Sequence, residues 1–215
     1  MLVKKGHIDI VKILVNDQRV DICQTNYYGQ TPFLVACEKG RIEIVKLLLN
    51  DQRVDVNKTM NGNQTPFYIA CWNGQIEVVK LLLNDQRIDV NKAEGNHGIT
   101  PFYVACQFGY LEIVKLLVND QRVNVNEANY YDQMPFFLVC KTGDIEIVKS
   151  MLASGRDINV KDDTGKTALE IVREEKFLEG QEKKKENCSK IFELLESFER
   201  NPNETRTKLR KELGE

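Results

Sequence analysis

Thr65-Pro66-Phe67-Tyr68-Ile69-Ala70-Cys71-Trp72-Asn73-Gly74-Gln75-Ile76-Glu77-Val78-Val79-Lys80-Leu81-Leu82-Leu83 reads as two short helices and the joint between them. A threonine hydroxyl accepts a backbone N–H at a helix start, and a proline at the first helical position loses nothing by lacking one. The first helix therefore starts at Pro66, and it stops by Asn73-Gly74, because glycine takes the left-handed turn conformation most easily. In the second helix Glu77 and Lys80 lie three apart on an outer face, and apolar residues occupy more than one stripe. Helices this short are marginal alone. Their extra apolar faces must be buried against units before and after, so the units fold only as a stack.

The same pattern returns along the chain. Asn-Asp-Gln-Arg recurs unchanged from Asn16, Asn50, Asn84 and Asn119, in steps of 34, 34 and 35 residues. Gly6, Gly40, Gly74, Gly109 and Gly143 keep that beat, and Thr31-Pro32-Phe33, Thr65-Pro66-Phe67, Thr100-Pro101-Phe102 and Met134-Pro135-Phe136 open the segment before the glycine. A fixed period of this length is the mark of a repeat architecture.

Thr-Pro-Phe, then Ala-Cys-x-x-Gly, then Ile-Val-Lys-Leu-Leu, then Val-Asp-Val-Asn resembles the ankyrin repeat. The resemblance implies an all-α solenoid of L-shaped helix pairs with short β-hairpin loops, curved so that partners meet its concave side and the hairpins. Three departures stand out. The family's histidine after Thr-Pro-Leu is replaced by Leu34, Tyr68, Tyr103, Phe137 and Glu170. The connection Asn-Asp-Gln-Arg-Val-Asp-Val-Asn is one residue longer than usual and lacks a glycine, which leaves the exit from the second helix open. Met134 stands where a capping threonine is expected, weakening that helix start by about 1 kcal/mol.

The repeats are expected over residues 1–199: a truncated first unit at 1–25, complete units near 26–59, 60–94, 95–128 and 129–161, and a capping unit near 162–199. The cap opens at Thr167-Ala168-Leu169, is interrupted by the charged stretch Glu179–Glu186, and has its second helix near Ser189–Glu196. The half unit at the start implies either further repeats upstream or an arbitrary start at Met1. Residues 200–215 form a polar tail, either a short amphipathic helix or disordered.

A net charge of -2 offers no general attraction to nucleic acid or an anionic membrane, and no apolar run approaches the roughly 20 residues of a membrane span. The expectation is a soluble cytoplasmic protein, with the nucleus as a second location, monomeric and binding another protein. Cys37, Cys71, Cys106 and Cys140 share one register, that of the small residue where helices approach, and His7 and His97 sit at different registers. No metal spacing results, and no cofactor is expected. Glu43, Glu77, Glu112 and Glu146 repeat with the period, as a solvated face does, and the glycines are too far apart for a phosphate loop. An enzyme is not expected. The four Asn-x-Ser/Thr sequons at Asn57, Asn63, Asn187 and Asn203 are chance matches in an Asn-rich chain. By resemblance, Asn57, Asn91 and Asn126 match loop positions that family members can present for hydroxylation.

What repeats cannot specify a partner, so the informative residues are those that break the period. After the Ala-Cys register the two central units carry Trp72-Asn73 and Gln107-Phe108, followed by Tyr110. Exposed aromatics are frequent interface anchors. Tyr68 and Tyr103, one turn away, either join them in one strip or pack between repeats. The hairpin tips vary too, at Tyr28, Met60, His97 and Tyr131; these are partner contacts or turn residues. A binding scaffold is the leading reading, against an architectural spacer in a longer protein or a targeting module for a catalytic domain elsewhere.

Overall fold

The computed structural model describes residues 2–158, 161–162, 164–174 and 182–214. Thirteen helices, and no strand, are present among the described residues. They come in pairs: α1 (Leu2–Lys5) with α2 (Ile8–Asn16), α3 (Pro32–Glu38) with α4 (Ile42–Leu49), and α5 (Pro66–Trp72) with α6 (Ile76–Leu83). Next come α7 (Pro101–Gln107) with α8 (Leu111–Asn119), α9 (Pro135–Thr142) with α10 (Ile145–Ala153), and α11 (Ala168–Glu174) with α12 (Glu182–Arg200). A last helix, α13 (Pro202–Leu213), follows. The chain falls into two compact units, Met1–Val104 and Ala105–Glu215.

The caps are those expected. Thr31, Thr65 and Thr100 each accept, at 3.1 Å, the backbone N–H three residues on, whereas Met134 makes no such bond. At the sixth start Glu170 compensates: its carboxylate accepts from Thr167 N at 2.8 Å while Thr167 Oγ1 accepts from Glu170 N at 3.4 Å, a reciprocal capping box. Between helices Gly40 takes φ 64°. Arg41 N then reaches Ala36 O at 2.9 Å and Ile42 N reaches Gly40 O at 3.0 Å, which closes the first helix and aims the second in three residues.

The exit from the second helix, open on sequence grounds, is built by the recurring Asp and Arg. Asp51 Oδ1 accepts Arg53 N at 3.0 Å and both carboxylate oxygens hold the guanidinium, whose Nη2 also donates to Val15 O at 2.6 Å. Arg87 repeats the device with Asp85 and Leu49 O at 2.7 Å. The arginine thus caps the end of the preceding repeat's second helix, where orphan carbonyls and the negative end of the helix dipole favour a cation. No glycine is needed, because the aspartate side chain makes the turn. The most regular motif in the sequence is structural.

In the first unit α3 packs on α4 and α5, and α4 lies between α2 and α6. Phe33, Phe67, Cys37, Cys71, Val45 and Val79 are at most 1% exposed. In the second unit α10 meets α8, α9, α12 and α13. Helix α12 begins at Glu182, earlier than the Ser189 read from sequence, so part of the charged stretch is helical; residues 175–181 lie outside the described residues. The tail is the amphipathic helix of the two alternatives. Leu209 is buried, and Arg206 Nε and Arg210 Nε donate to Leu152 O and Ala153 O at 3.4 and 2.9 Å, capping the end of α10.

Candidate functional site

At most of the hairpins before the first helices one side chain closes the base, whereas at the one begun by Met60 a backbone bond does, Met60 N donating to Gln64 O at 3.0 Å. Asn26 Oδ1 accepts Tyr28 N and Gln30 N, each at 3.0 Å, and Asn26 N donates to Gln30 O at 3.0 Å. Asn129 does the same with Tyr131 N and Gln133 N at 2.9 and 3.1 Å. The third hairpin is one residue longer, bonding Glu94 N to Ile99 O at 3.0 Å, and this accounts for the single 35-residue step. There the longer glutamate spans the extra residue, accepting Asn96 N at 2.8 Å, His97 N at 2.5 Å and Ile99 N at 3.4 Å. Burial pushes the Glu94 carboxyl up, but the three backbone donors outweigh it and hold the group below its ordinary value. Adjacent hairpins in the first unit are tied by Asn61 N to Tyr28 O at 3.1 Å and Gly95 N to Gly62 O at 2.8 Å.

These anchored hairpins present aromatic rings to solvent. Tyr27 and Tyr28 are 92% and 60% exposed and meet edge to face at 5.5 Å; Tyr130 and Tyr131 are 67% and 66% exposed. Tyr27 and Tyr130 stand beside the candidates Tyr28 and Tyr131, and Asn-Tyr-Tyr at two equivalent tips is the signal that the sequence carries. Met60 is half-buried and takes a weak bond from Gln30 Nε2, while His97 is exposed beside Glu94, Nδ1 to Oε1 3.5 Å.

At the ends of the first helices Trp72 and Phe108 are exposed, at 40% and 45%. Trp72 leans on Tyr68, ring centroids 6.0 Å apart, and Phe108 on half-buried Tyr110 at 5.8 Å. Gln107 is exposed; Asn73 is exposed as well but spends its amide on Ile69 O at 2.9 Å. Of the two alternatives for Tyr68 and Tyr103, the structure shows the interior one: they are 0% and 3% exposed and do not join the exposed strip. They occupy the third position of the first helix, which points into the protein, so their rings support the surface and do not form it. Asn57, a hydroxylation candidate, is engaged with the following repeat, donating to Arg87 O at 2.7 Å and accepting Asp89 N at 2.9 Å.

The second unit also holds a groove of about 470 Å³ beside the hairpins that precede α9 and α11. Met134, Phe137, Leu138 and Ile171 are its apolar lining, and Tyr131, Lys141 and the paired Lys166 and Glu174 line it as well. Volumes of this order suit a peptide side chain or small ligand. Sequence reading missed it, because its walls come from residues about 40 apart.

The model of ankyrin repeats matches residues 1–94, 61–129 and 102–176. This chain belongs to the ankyrin-repeat family. Among solved structures it is similar to EF0377, an ankyrin repeat protein, at 24% identity and TM-score 0.72, covering 87% of this chain and 92% of that one. The ankyrin repeat domain of Bcl-3, a member of the IkappaB family, aligns at 20% identity and TM-score 0.72 over 80% of this chain and 77% of that one. A chain from the complex of the Bd0816 predatory endopeptidase of Bdellovibrio bacteriovorus with immunity protein Bd3460 aligns at 25% identity and TM-score 0.65, over 88% and 95%. No curated protein matches the sequence.

Within the ankyrin repeats the charged and thiol groups that keep the period have structural roles. Glu43–Lys46, Glu77–Lys80, Glu112–Lys115 and Glu146–Lys149 are exposed i,i+3 pairs of 2.8–3.2 Å, each contributing a few tenths of a kcal/mol. The thiols of Cys37, Cys71, Cys106 and Cys140 are fully buried, and that burial pushes their pKa values up, the opposite of an activated nucleophile. Among the described residues no group of His, Cys, Asp and Glu is placed to hold a metal ion, and no helix is long and apolar enough to cross a membrane.

Proposed function

We propose that this ankyrin-repeat chain is a protein-binding scaffold whose contacts are made by hairpin tips and first-helix ends. The observation that carries this reading is the division of labour within each repeat. Period-keeping apolar side chains are buried, and period-keeping polar ones are spent on turns, caps or exposed i,i+3 pairs, whereas Tyr28, Trp72, Phe108 and Tyr131, which break the period, are exposed. Large aromatics held out on a rigid frame contribute contact area at low entropic cost. Asn73, Gln107, Tyr110, Met60 and His97 flank them as polar or secondary contacts, with Tyr68 and Tyr103 as buried supports. The buried thiols suit a reducing compartment, cytoplasm or nucleus. A partner captured by affinity purification and identified by mass spectrometry is expected to lose at least tenfold in affinity on Trp72→Ala with Phe108→Ala. Unchanged affinity, with the thermal transition intact, moves the contact surface elsewhere on the repeats.

A further inference from the structure

The groove of the second unit carries an acidic residue at a backbone position suited to glycine. Asp132 takes φ 57° in the hairpin before α9, and its N–H closes the tip on Asn129 O at 3.0 Å. Gly29, with φ 74°, and Gly165, with φ 80°, hold the same place in the hairpins before α3 and α11, each closing on the carbonyl three residues back. Asn63, with φ 62°, is the other side chain found there, and its amide is engaged, donating to Ala93 O at 3.4 Å. Left-handed backbone disfavours any side chain. The Asp132 carboxylate makes no hydrogen bond or ion pair among the described residues that would offset this cost, and it lines the groove. Beside it, Asp162 accepts Thr164 N, Thr164 Oγ1 and Lys166 N on Oδ1 alone, at 2.9, 2.8 and 2.8 Å. Its Oδ2 is left open. The lining is acidic by one charge, Asp132, Asp162 and Glu174 against Lys141 and Lys166, and Glu174 is already paired with Lys166. Leu138 and Ile171 are only half-buried in it, although Ile69 and Val104 at the same register are 7% and 0% exposed.

We infer that this groove takes an arginine side chain of a partner segment, with an aliphatic residue next to it. Open carboxylate oxygens above apolar walls call for a side chain that is apolar along its stem and cationic at its head. Arginine lays its methylenes along surfaces such as Leu138 and Ile171, and its planar head brings five N–H donors to carboxylates such as those of Asp132 and Asp162. Tyr131, 66% exposed, adds an aromatic ring on which a guanidinium stacks. The volume exceeds one side chain, which leaves room for the aliphatic neighbour against Met134 and Phe137. This inference rests on the protein-binding reading above and gives the second unit an occupant of stated chemistry.

A phage-displayed library of random nonapeptides, selected on the full chain, is expected to enrich arginine next to leucine or isoleucine. A synthetic copy of the leading sequence, titrated by calorimetry, should lose at least tenfold in affinity when its arginine becomes glutamine, and as much against Asp132→Gly. That variant installs the residue found at Gly29 and Gly165, so its melting temperature is expected to hold or rise, and weaker binding then reports the lost carboxylate and not misfolding. Lys141→Ala should bind the peptide at least as well as the parent chain, and Trp72→Ala with Phe108→Ala should leave its affinity unchanged. Enrichment of acidic peptides, weaker binding to Lys141→Ala, or affinity indifferent to Asp132→Gly overturns the proposal, as does a library that yields no specific binder. Loss of peptide binding on Trp72→Ala with Phe108→Ala overturns it too, by placing the peptide on the other surface. A failed groove beside a captured partner that still depends on Trp72 and Phe108 sinks this inference alone; the opposite pair of results upholds it and sinks the earlier site.

Discussion

Removing one oxygen atom from the core of the first unit is expected to stabilise it. Tyr68 is 0% exposed, and its Oη has no hydrogen-bond partner among the described residues. A buried polar group left unpaired costs about 1–3 kcal/mol. Part of that is returned as lost packing when the oxygen goes, leaving a net gain of about 1 kcal/mol for Tyr68→Phe, or about 2–4 °C in melting temperature for a chain of this size. Phe137 stands at the same register and is 7% exposed, so a phenyl ring is already accommodated there in the fifth repeat. Burial first, then the nearby Glu94 and Cys71, push the Tyr68 hydroxyl up. The native state therefore keeps its proton after the unfolded chain releases it near pH 10, and stability falls as pH rises beyond that value. Tyr68→Phe removes this alkaline loss as well. Urea titrations at pH 7 and pH 10.5 measure both effects. A variant that is destabilised at pH 7 refutes the reasoning, because it means the hydroxyl is satisfied, as by an ordered water.

Glu94→Asp shortens the side chain that spans the longer third hairpin; faster amide exchange at Asn96, His97 and Ile99 is expected, with a loss of about 1–2 kcal/mol for the hydrogen bonds forfeited. Met134→Thr restores the absent cap and should add about 1 kcal/mol, read as a higher midpoint in denaturant. Arg53, through its side chain first and its backbone N–H second, holds the Asp51 carboxyl at about 2. That contribution is complete above the unfolded value of about 3.9 and is lost as pH falls toward 2, so Asp51→Asn should flatten the acid limb of a stability–pH curve between pH 4 and 2.

The repeat, its helix boundaries and its caps were legible in the sequence because they are local. Thr-Pro at a helix start, glycine at a stop and apolar residues at helical spacing each act within one turn, and repetition confirmed the period. The Asp–Arg exit was not legible, since Arg53 and Arg87 complete it on carbonyls 38 residues earlier. The helix over Pro202–Leu213 was undecided for the same reason: its polar composition is compatible with disorder until Leu209 and two arginines meet α10. Among the candidate contacts, sequence selected Trp72 and Phe108 by their departure from the period. It could not separate them from Tyr68 and Tyr103, because an aromatic ring is as much at home in a core as on a surface. Only the direction in which each helix faces its neighbours put one pair outside and the other within.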